Sequence, residues 1–349
     1  MTVPLLEVSG LTRTFPVPRT LLDAVTNRHR AGLQALRGVD LAVGPGEIIG
    51  IVGESGCGKS TLGRCIAGLE RPDSGAMLWQ GAPLGSLKDR MRRARRIQMV
   101  FQDPYASLNP RLSLRQTLAE TLSVHGKAAT AAERRDRVDA LLQLVGLDPV
   151  LGDRLPHAIS GGQRQRVSIA RALAVEPQLL IADEPVSALD ASVQAQIINL
   201  LEDLRDRLGI AILFIAHDLN VVRHISDRIA VMYLGEVVEV SPTTELFGHP
   251  SHPYTRGLLA AIPQPDPARR TSAPGLVGEP PDPLDPPPGC SFSTRCPHVI
   301  PPCQAARPSL TPRPFGPEPR AMPSHLVRCS NPAAWFQAAQ PSGARSHVL

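Results

Sequence analysis

The sequence predicts an α/β fold with a largely parallel sheet over about its first 240 residues, followed by a proline-rich extension. Short apolar runs alternate there with stretches whose apolar residues recur three and four positions apart, the spacing of amphipathic helices. Such strand–helix alternation is typical of parallel sheets joined by crossover helices. Proline gathers at the other end: of the 36 prolines in the chain, 24 lie from residue 242 onward.

Four apolar runs rich in aliphatic residues are predicted to be strands buried on both faces: EIIGIVG, IQMVF, LLIAD and AILFIA. Two stretches have helical spacing, DRVDALLQLVGL and SVQAQIINLLEDLRDRL. Proline lacks an N–H group and fixes its own backbone angle. The extension is therefore predicted to contain loops, turns and extended segments instead of helices or central strands.

The chain has 349 residues, a formal net charge of +5 and no N-terminal stretch with the pattern of a secretory signal. Its apolar runs are far shorter than the ~20 residues that cross a bilayer. A soluble, cytoplasmic protein is therefore expected, in which structural disulfides are rare. The segment 88–96, KDRMRRARR, could bind nucleic acid, but it lacks interleaved aromatic residues and is better explained as an exposed basic face.

The segment GESGCGKST follows a predicted strand and opens a predicted helix. It matches the phosphate-binding pattern G-x-x-x-x-G-K-[ST] in the context that this pattern requires. Its glycines allow backbone N–H groups to converge on phosphate oxygens, and the helix N-terminus adds positive charge. Lys59 is expected to reach the β- and γ-phosphates, and Ser60 to bind Mg²⁺. The predicted nucleotide-binding residues here are Gly53, Glu54, Ser55, Gly56, Cys57, Gly58, Lys59, Ser60 and Thr61.

An acidic pair, Asp183 and Glu184, ends the predicted strand LLIAD. Ligands bind at the carboxyl ends of the strands in open α/β sheets, so this pair is expected beside the phosphate-binding loop. Asp183 would hold Mg²⁺, and Glu184 would polarise the water that attacks the γ-phosphate. Two acids after a strand could instead cap a helix, an alternative that the phosphate-binding loop disfavours.

A second anion-binding helix start occurs in ISGGQRQRVSIARAL, where Ser160 can cap the helix. One chain needs only one phosphate cradle, so the second favours two chains that share nucleotides. Ser-Gly-Gly-Gln before an arginine-rich helix and an acidic strand resembles the signature of the ATP-binding cassette (ABC) ATPases. Ile159 departs from that family, which more often has leucine or phenylalanine there. The resemblance implies nucleotide contacts from four residues: Ser160, Gly161, Gly162 and Gln163.

Further motifs of the ABC family follow in the family's order. Gln102 in VFQDP resembles the Q-loop residue, which senses Mg²⁺ and contacts the membrane partner. Asp190 in SALD resembles the D-loop acid at the dimer interface. His217 in FIAHDL resembles the switch histidine that contacts the γ-phosphate. Phe15 is the candidate for stacking on adenine, with a position in the core as its alternative.

The resemblance implies a P-loop NTPase fold of the ABC type, in which a RecA-like parallel-sheet core carries an antiparallel β subdomain and a helical subdomain. Residues 1–245 would form the nucleotide-binding domain, with the helical part at about 103–175, and residues 246–349 the extension. ATP would lie between the phosphate-binding loop of one subunit and the signature of another in a head-to-tail dimer. The implied catalytic residues are Glu184, His217 and Gln102, and the implied Mg²⁺ ligands are Ser60, Gln102 and Asp183.

The extension favours an importer subunit. HPSHPYTRGLLAAIP and CSFSTRCPHVIPPC resemble the C-terminal region of the oligopeptide/dipeptide importer ATPases, a subfamily that also includes nickel importers. The resemblance implies two permease subunits, a second homologous ATPase or a second copy of this chain, and an extracytoplasmic solute-binding protein. The ATPase would lie on the cytoplasmic face of the plasma (inner) membrane. A soluble ABC ATPase that acts on nucleic acid or ribosomes is the alternative from another class.

The extension also contains four cysteines in the pattern C-x5-C-x6-C-x25-C: Cys290, Cys296, Cys303 and Cys329. Four thiolates suit tetrahedral zinc or an iron–sulfur cluster. The short C-x2-4-C pairs of zinc ribbons are missing, and Pro297 after Cys296 is like the Cys-Pro of ferredoxin ligands. Members of the resembled subfamily carry a 4Fe-4S cluster on such a tail. A structural 4Fe-4S cluster is therefore expected, with zinc or free thiols as alternatives.

Overall fold

A computed structural model of the chain describes residues 3–17, 32–84, 90–103, 107–262, 276–312 and 325–331. The strands are β1 (Leu6–Phe15), β2 (Leu33–Val43), β3 (Ile48–Val52), β4 (Ser74–Trp79), β5 (Ala82–Pro83), β6 (Ile97–Val100), β7 (Leu179–Asp183), β8 (Ala211–Ile215), β9 (Arg228–Tyr233), β10 (Glu236–Pro242), β11 (Thr311–Pro312) and β12 (Leu326–Val327). The α-helices are α1 (Lys59–Ala67), α2 (Arg90–Arg96), α3 (Leu114–Val124), α4 (Ala131–Leu144), α5 (Gly161–Leu173), α6 (Ala191–Leu208), α7 (Leu219–Ile225), α8 (Thr243–Gly248), α9 (Pro253–Ala260) and α10 (Pro301–Ala305).

The strands form two sheets. The larger sheet has the order β11-β12-β10-β9-β3-β8-β7-β6, and its strands run parallel from β9 to β6. Within it β3, β7 and β8 are buried along their whole length, as their uninterrupted apolar sequences predict. The smaller sheet is antiparallel, with the order β2-β1-β4-β5. The predicted parallel core and antiparallel subdomain are thus confirmed.

The helices occupy the stretches that show helical spacing. In α6 the apolar residues Ile197, Leu201 and Leu204 face the core without exposure, and the helix ends at Gly209, whose φ of 66° suits a left-handed cap. In α4 the buried pair Val138 and Leu142 packs toward α3 and α5. This helical layer carries the beginning of α5, where the predicted ABC signature lies.

The C-terminal extension is more regular than its proline content predicts. The prediction of a segment without helices is wrong for α9 and α10, which begin at Pro253 and at Pro301. Proline is tolerated in the first helical turn because the N–H groups there have no partner within the helix. β12 pairs antiparallel with β10 at the edge of the larger sheet, and Phe292 and Cys303 are buried against the main core. The boundary predicted at residue 245 stays a prediction.

Among the described residues, no helix combines the length and the apolar character that a bilayer-spanning segment requires. The longest described helix, α6, has 18 residues and contains acidic and basic side chains such as Asp203 and Arg205.

Candidate nucleotide site and cysteine cavity

A cavity of about 480 Å³ opens at the carboxyl ends of the parallel strands. The loop from β3 to α1 forms its floor, and the segments after β6, β7 and β8 each contribute a side chain. Ten of the residues predicted from the sequence line it: Phe15, Ser55, Gly56, Gly58, Lys59, Ser60, Thr61, Gln102, Glu184 and His217. Predicted residues that are 202 positions apart in sequence, Phe15 and His217, therefore meet around one space.

The loop between β3 and α1 curls around the ammonium group of Lys59. The Nζ atom of Lys59 donates hydrogen bonds to the carbonyl oxygens of Gly53 (2.8 Å) and Glu54 (3.0 Å), and the side chain is buried. Gly58 has a φ of 104°, and a Cβ added there would lie 2.3 Å from the carbonyl oxygen of Ala35. Only glycine allows this backbone path, which places N–H groups and a lysine around a space that fits phosphate.

Ser60 and Asp183 are joined by a hydrogen bond. The hydroxyl of Ser60 donates to Oδ1 of Asp183 at 2.8 Å, and Asp183 is buried at the end of β7. Burial raises the pKa of the Asp183 carboxyl above its usual value, while the hydrogen bond from Ser60 opposes this shift. Both residues present oxygen atoms, the ligands that Mg²⁺ prefers.

Two other polar residues of the cavity, Gln102 and His217, contact the side chain of Glu184. Its Oε2 atom accepts a hydrogen bond from the Gln102 amide (3.1 Å) and lies 3.3 Å from Nδ1 of His217. The backbone of Glu184 has a φ of 46°, in the left-handed region that costs a residue with a side chain roughly 1 kcal/mol. Its N–H group donates to the carbonyl of Ile215 at 2.9 Å, which holds this bend beside β8. Strained residues of this kind cluster at functional sites.

Four predicted residues border the cavity without lining it. Gly53 and Glu54 hold Lys59 through their carbonyls, and Asp183 holds Ser60. Cys57 belongs to a hydrophobic core cluster and is 4% exposed. Burial raises the pKa of its thiol, so this side chain is a neutral core group at neutral pH.

The signature residues and Asp190 lie outside the set of described residues that line the cavity. Ser160 caps α5 in a capping box: its hydroxyl accepts from the N–H of Gln163 (3.3 Å), and its own N–H donates to the Gln163 side chain (3.0 Å). Gly161 and Gly162 form the first turn of α5. Asp190 caps α6 by accepting from the N–H of Val193 at 2.9 Å, and this bond lowers its pKa.

Several cavity-lining residues carry no sequence motif: Leu33, Gln34, Ala35, Arg37, Leu234, Gly235, Pro283 and Pro286. Those from β2 and from the turn between β9 and β10 approach the phosphate-binding loop, where the N–H of Gly235 donates to the carbonyl of Cys57 at 2.9 Å. The two prolines come from the extension. Sequence patterns gave no signal for them, because their contacts depend on how the extension folds back.

A second, much smaller cavity of about 10 Å³ lies within the extension, and four cysteines line it: Cys290, Cys296, Cys303 and Cys329. All four are free thiols, and the N–H of Cys290 donates to the carbonyl of Cys303 at 2.7 Å. Burial raises the pKa of Cys290 to about 12 and that of Cys329 to about 11. The described residues contain no group of three or more His, Cys, Asp or Glu side chains arranged to hold a metal ion.

Part of the basic segment 88–96, which was predicted to be an exposed face, makes hydrogen bonds within the fold. Lys88 and Asp89 lie outside the described residues. In α2, Arg93 donates from Nε to the carbonyl of Ile66 (3.0 Å) and from a terminal nitrogen to that of Cys65 (3.1 Å). A cation at these carbonyls stabilises the C-terminus of α1, the helix that follows the phosphate-binding loop.

The residues around the cavity of about 480 Å³ indicate a class of protein. A glycine-rich loop with a buried lysine, a serine–aspartate pair and a second acid gather at the carboxyl ends of a parallel sheet, which is the arrangement of a P-loop nucleotide-binding ATPase.

Comparison with known proteins places the chain within this class. The model of the ABC transporter family matches residues 36–187, and that of the oligopeptide/dipeptide transporter C-terminal region matches residues 238–303. A putative oligopeptide transport ATP-binding protein of Bacillus subtilis is 48% identical over 312 residues, which are 88% of this chain and 92% of that protein. A probable peptide ABC transporter ATP-binding protein of Sinorhizobium fredii is 48% identical over 93% of this chain and 91% of its own length. The chain therefore belongs to the ABC transporter family, among its ATP-binding subunits.

Solved structures agree with this assignment. A cassette from Clostridium perfringens that is part of an ABC transporter complex has a TM-score of 0.60 and 32% identity, over 70% of this chain and 91% of its own. An ATP-binding cassette solved as a dimer in a post-hydrolysis state with ADP and Pi has a TM-score of 0.60 and 30% identity, over 68% of this chain and 98% of its own. The ABC ATPase fold predicted from the sequence is confirmed.

Proposed function

We propose that this ATPase energises the uptake of dipeptides or oligopeptides through a separate permease. The observation that carries its ATPase chemistry is the cavity in which Lys59, Gln102, Glu184 and His217 come together. The peptide assignment is supported by the names of its relatives and by the match of residues 238–303 to the oligopeptide/dipeptide transporter C-terminal region. Nickel or another small solute is the alternative cargo.

In this proposal the phosphate-binding loop holds the triphosphate of ATP. Lys59 moves its hydrogen bonds from the loop carbonyls to the β- and γ-phosphates, and the N–H groups at the start of α1 face the same oxygens. Phe15 stacks on adenine at the far wall of the cavity. The guanidinium of Arg13 lies 4.7 Å from the Phe15 ring centroid and keeps that ring at the surface of the antiparallel sheet.

Ser60, Asp183 and Gln102 are the proposed Mg²⁺ ligands, directly or through water. Bound Mg²⁺ neutralises charge that develops on the phosphate oxygens. Glu184 accepts a proton from the attacking water, and its position suits this role because Gln102 and His217 both contact its Oε2 atom. His217, which lines the same cavity and contacts Oε2 of Glu184, is proposed to contact the γ-phosphate.

The second half of each nucleotide site is proposed to come from another subunit. Ser160–Gln163 and Asp190 lie outside the cavity, at exposed helix starts that can face a nucleotide held by a second chain. A relative of the same fold was solved as a dimer with ADP and Pi, which supports such pairing. The second ATPase is either a homologous subunit or a second copy of this chain.

The complete transporter would contain two permease subunits and an extracytoplasmic solute-binding protein, with this ATPase on the cytoplasmic face of the plasma (inner) membrane. Support comes from the names of its relatives as peptide transport proteins. An ATPase that serves nucleic acid or ribosomes finds no support in the structure, where Arg93 of the basic segment binds backbone carbonyls.

The decisive experiment is the substitution Glu184→Gln. It removes the proton acceptor but keeps the hydrogen-bonding shape, so turnover should fall by at least about 100-fold. ATP affinity should be retained, and Mg–ATP should trap a dimer that light scattering detects. Glu176→Gln is the matched control and should keep most of the activity: it makes the same substitution at another glutamate with a positive φ, which pairs with Lys127 at 2.6 Å and does not line the cavity. Full turnover by the Glu184→Gln variant would remove Glu184 from the mechanism.

We also propose that the four cysteines hold a structural 4Fe-4S cluster, with zinc as the alternative. Support comes from the subfamily resemblance and from the convergence of four free thiols on one cavity. A mononuclear zinc site needs sulfur atoms roughly 3.8 Å apart, since Zn–S distances are about 2.3 Å. The described side chains form no group arranged to hold a metal ion, so either metal centre would require the thiols to move. When bound, the cluster would cross-link the extension through thiolate–iron bonds.

Anaerobic reconstitution with iron and sulfide tests this part of the proposal. The full-length chain should bind close to four irons, and Cys303→Ser should bind far less because a ligand is lost. Cys65→Ala is the control, since Cys65 is buried in α1 outside the extension. Iron content that stays low in the unaltered chain, or that is equal in the Cys303→Ser variant, would contradict the cluster; stoichiometric zinc would support the alternative.

A further inference from the structure

The C-terminal extension contacts the phosphate-binding loop directly, at Glu54. The guanidinium of Arg295 makes two parallel hydrogen bonds to the Glu54 carboxylate, at 2.9 and 3.1 Å. The hydroxyl of Tyr254 accepts a hydrogen bond from the Glu54 N–H group at 2.9 Å. Both contacts join residues 200 or more positions apart.

Glu54 is thereby fixed at three points. Its N–H group is held by Tyr254, its carboxylate by Arg295, and its carbonyl accepts from Nζ of Lys59 at 3.0 Å. The next residues in the chain, Ser55 and Gly56, line the nucleotide cavity. A displacement of Glu54 would therefore move both the loop backbone and the lysine of the phosphate site.

Within the extension, the Arg295 side chain is buried and held by its neighbours. The Arg295 side chain is only 5% exposed and also donates to the Tyr233 hydroxyl at 3.4 Å. Beneath it Tyr233, Tyr254 and Phe292 form an aromatic cluster with ring centroids 4.5 to 5.6 Å apart. Such pairs order each other and add to the free energy of burial. Arg295 precedes Cys296, so the cysteine cavity adjoins this contact in sequence.

Charge gives the contact a further consequence. Glu54 places a carboxylate in a loop that binds a triphosphate, and like charges in a partly desolvated site repel strongly. A bidentate guanidinium–carboxylate pair offsets that negative charge. Pro283 and Pro286 of the same extension cover another side of the nucleotide cavity.

We propose that Arg295 and Tyr254 are positioning residues for the phosphate-binding loop, and that Arg295 neutralises Glu54 so that ATP binds tightly. The inference rests on the proposed function, because it assigns the extension a part in the same nucleotide site. It makes nucleotide affinity depend on the extension as well as on the cassette motifs.

The test measures binding of Mg²⁺ and a fluorescent ATP analogue to the full-length chain, together with KM and kcat for ATP. Arg295→Gln should raise the Kd and KM about ten-fold, because a negative charge is left unpaired beside the phosphates, and should change kcat less than about two-fold. The double substitution Glu54→Gln, Arg295→Gln should restore the Kd to within about three-fold of the unaltered chain, since no charge remains to be neutralised. Tyr254→Phe should raise the Kd by about three-fold, because the Glu54 N–H loses its partner.

Arg307→Gln is the matched control. Arg307 also pairs an extension guanidinium with a cassette carboxylate, Glu236 at 2.8 Å, but Glu236 is outside the phosphate-binding loop. This variant should leave the ATP affinity unchanged. If Arg295→Gln does not fold, Arg295→Lys replaces it: a smaller rise in Kd is expected, again cancelled by Glu54→Gln.

An unchanged Kd in the Arg295 variants, or a double variant that binds as weakly as the single one, would overturn the inference. The proposed function fails in a different way, namely if the unaltered chain does not hydrolyse ATP or if Glu184→Gln turns over normally. The two failures are therefore distinguishable within one set of proteins.

Discussion

The nucleotide cavity and the cysteine cavity are built in opposite ways. The first has about 480 Å³ and is lined by polar groups that are already hydrogen-bonded: Ser60 to Asp183 at its border, and Gln102 to Glu184. The second has about 10 Å³ and is lined by thiols that include Cys290 and Cys329, whose pKa values burial has raised. The nucleotide cavity has the space for its ligand. A metal cluster at the cysteines must expand the cavity and displace protons.

The two cavities differ because their lining residues come from different parts of the fold. The nucleotide cavity is formed where buried parallel strands end, so rigid elements on each side fix its side chains. The cysteine cavity is formed by a proline-rich segment that is anchored where Phe292 and Cys303 are buried. A site of the second kind gains most from a bound group that cross-links it.

The largest effect on stability is expected from a substitution in the phosphate-binding loop. In Gly58→Ala the new Cβ would lie 2.3 Å from the Ala35 carbonyl oxygen, so the loop must move and unfolding should become easier by roughly 3 kcal/mol or more. Gly56→Ala also has a positive φ, but its Cβ would meet no atom within 4 Å, so a cost of about 1 kcal/mol is expected. Urea unfolding of the two full-length variants checks the difference. Equal losses would show that the loop yields freely.

A second prediction concerns pH and the closed cysteine cavity. His252 lines this cavity, and burial lowers its pKa from 6.5 to about 4, against the opposing effect of Glu239. Because the folded-state pKa is below the unfolded-state value, the contribution of His252 is complete above pH 6.5 and is lost as the pH falls toward 4. The loss reaches about 3 kcal/mol over this interval.

The measurement is the free energy of unfolding at several pH values for the unaltered chain and for His252→Asn. Asparagine can still accept from the N–H of Tyr254, as His252 does at 3.1 Å, but it does not titrate. The difference between the two proteins should change between pH 6.5 and 4. A constant difference would mean that the histidine is not held neutral, and the cavity would then be more open than its geometry indicates.

The prediction with the smallest effect on stability tests whether one chain alone forms the complete nucleotide site. Ser160 and Ser113 each begin a helix with the same capping box. Replacing either by alanine should cost about 1 kcal/mol of stability. Only Ser160→Ala should also reduce ATPase activity, because only Ser160 belongs to the proposed half-site for a second chain. Equal activity in the two variants would argue for a site formed by one subunit alone.

The parts of the molecule that sequence alone predicts are those with local signals. An uninterrupted apolar run followed by glycines and a lysine predicts β3, the phosphate-binding loop and the start of α1, and the same logic places Asp183 at the end of β7. That Gln102 and His217 belong to the same site as Glu184 was predicted only from the family resemblance, since these residues follow three separate strands. Their contacts with Glu184 were not predicted.

Long-range contacts had no signal in the sequence. Arg295 and Tyr254 reach Glu54 across 200 or more residues, and nothing in the local pattern marks either as part of a phosphate site. Proline density was misleading for α10, since it does not distinguish a proline in the first helical turn from one that breaks a helix. The cysteines were easy to find, but their spacing does not determine how far apart folding leaves the thiols.

The pairing of β12 with β10 has a practical consequence for anyone who shortens this protein. A fragment cut at residue 245 would keep every ATP-binding motif yet lose β12, the described strand that covers β10 opposite β9. It would also lose His325, whose Nε2 atom lies 2.6 Å from Oε1 of the buried Glu239. Bare strand edges recruit other strands, so such a fragment should accumulate as insoluble material during expression.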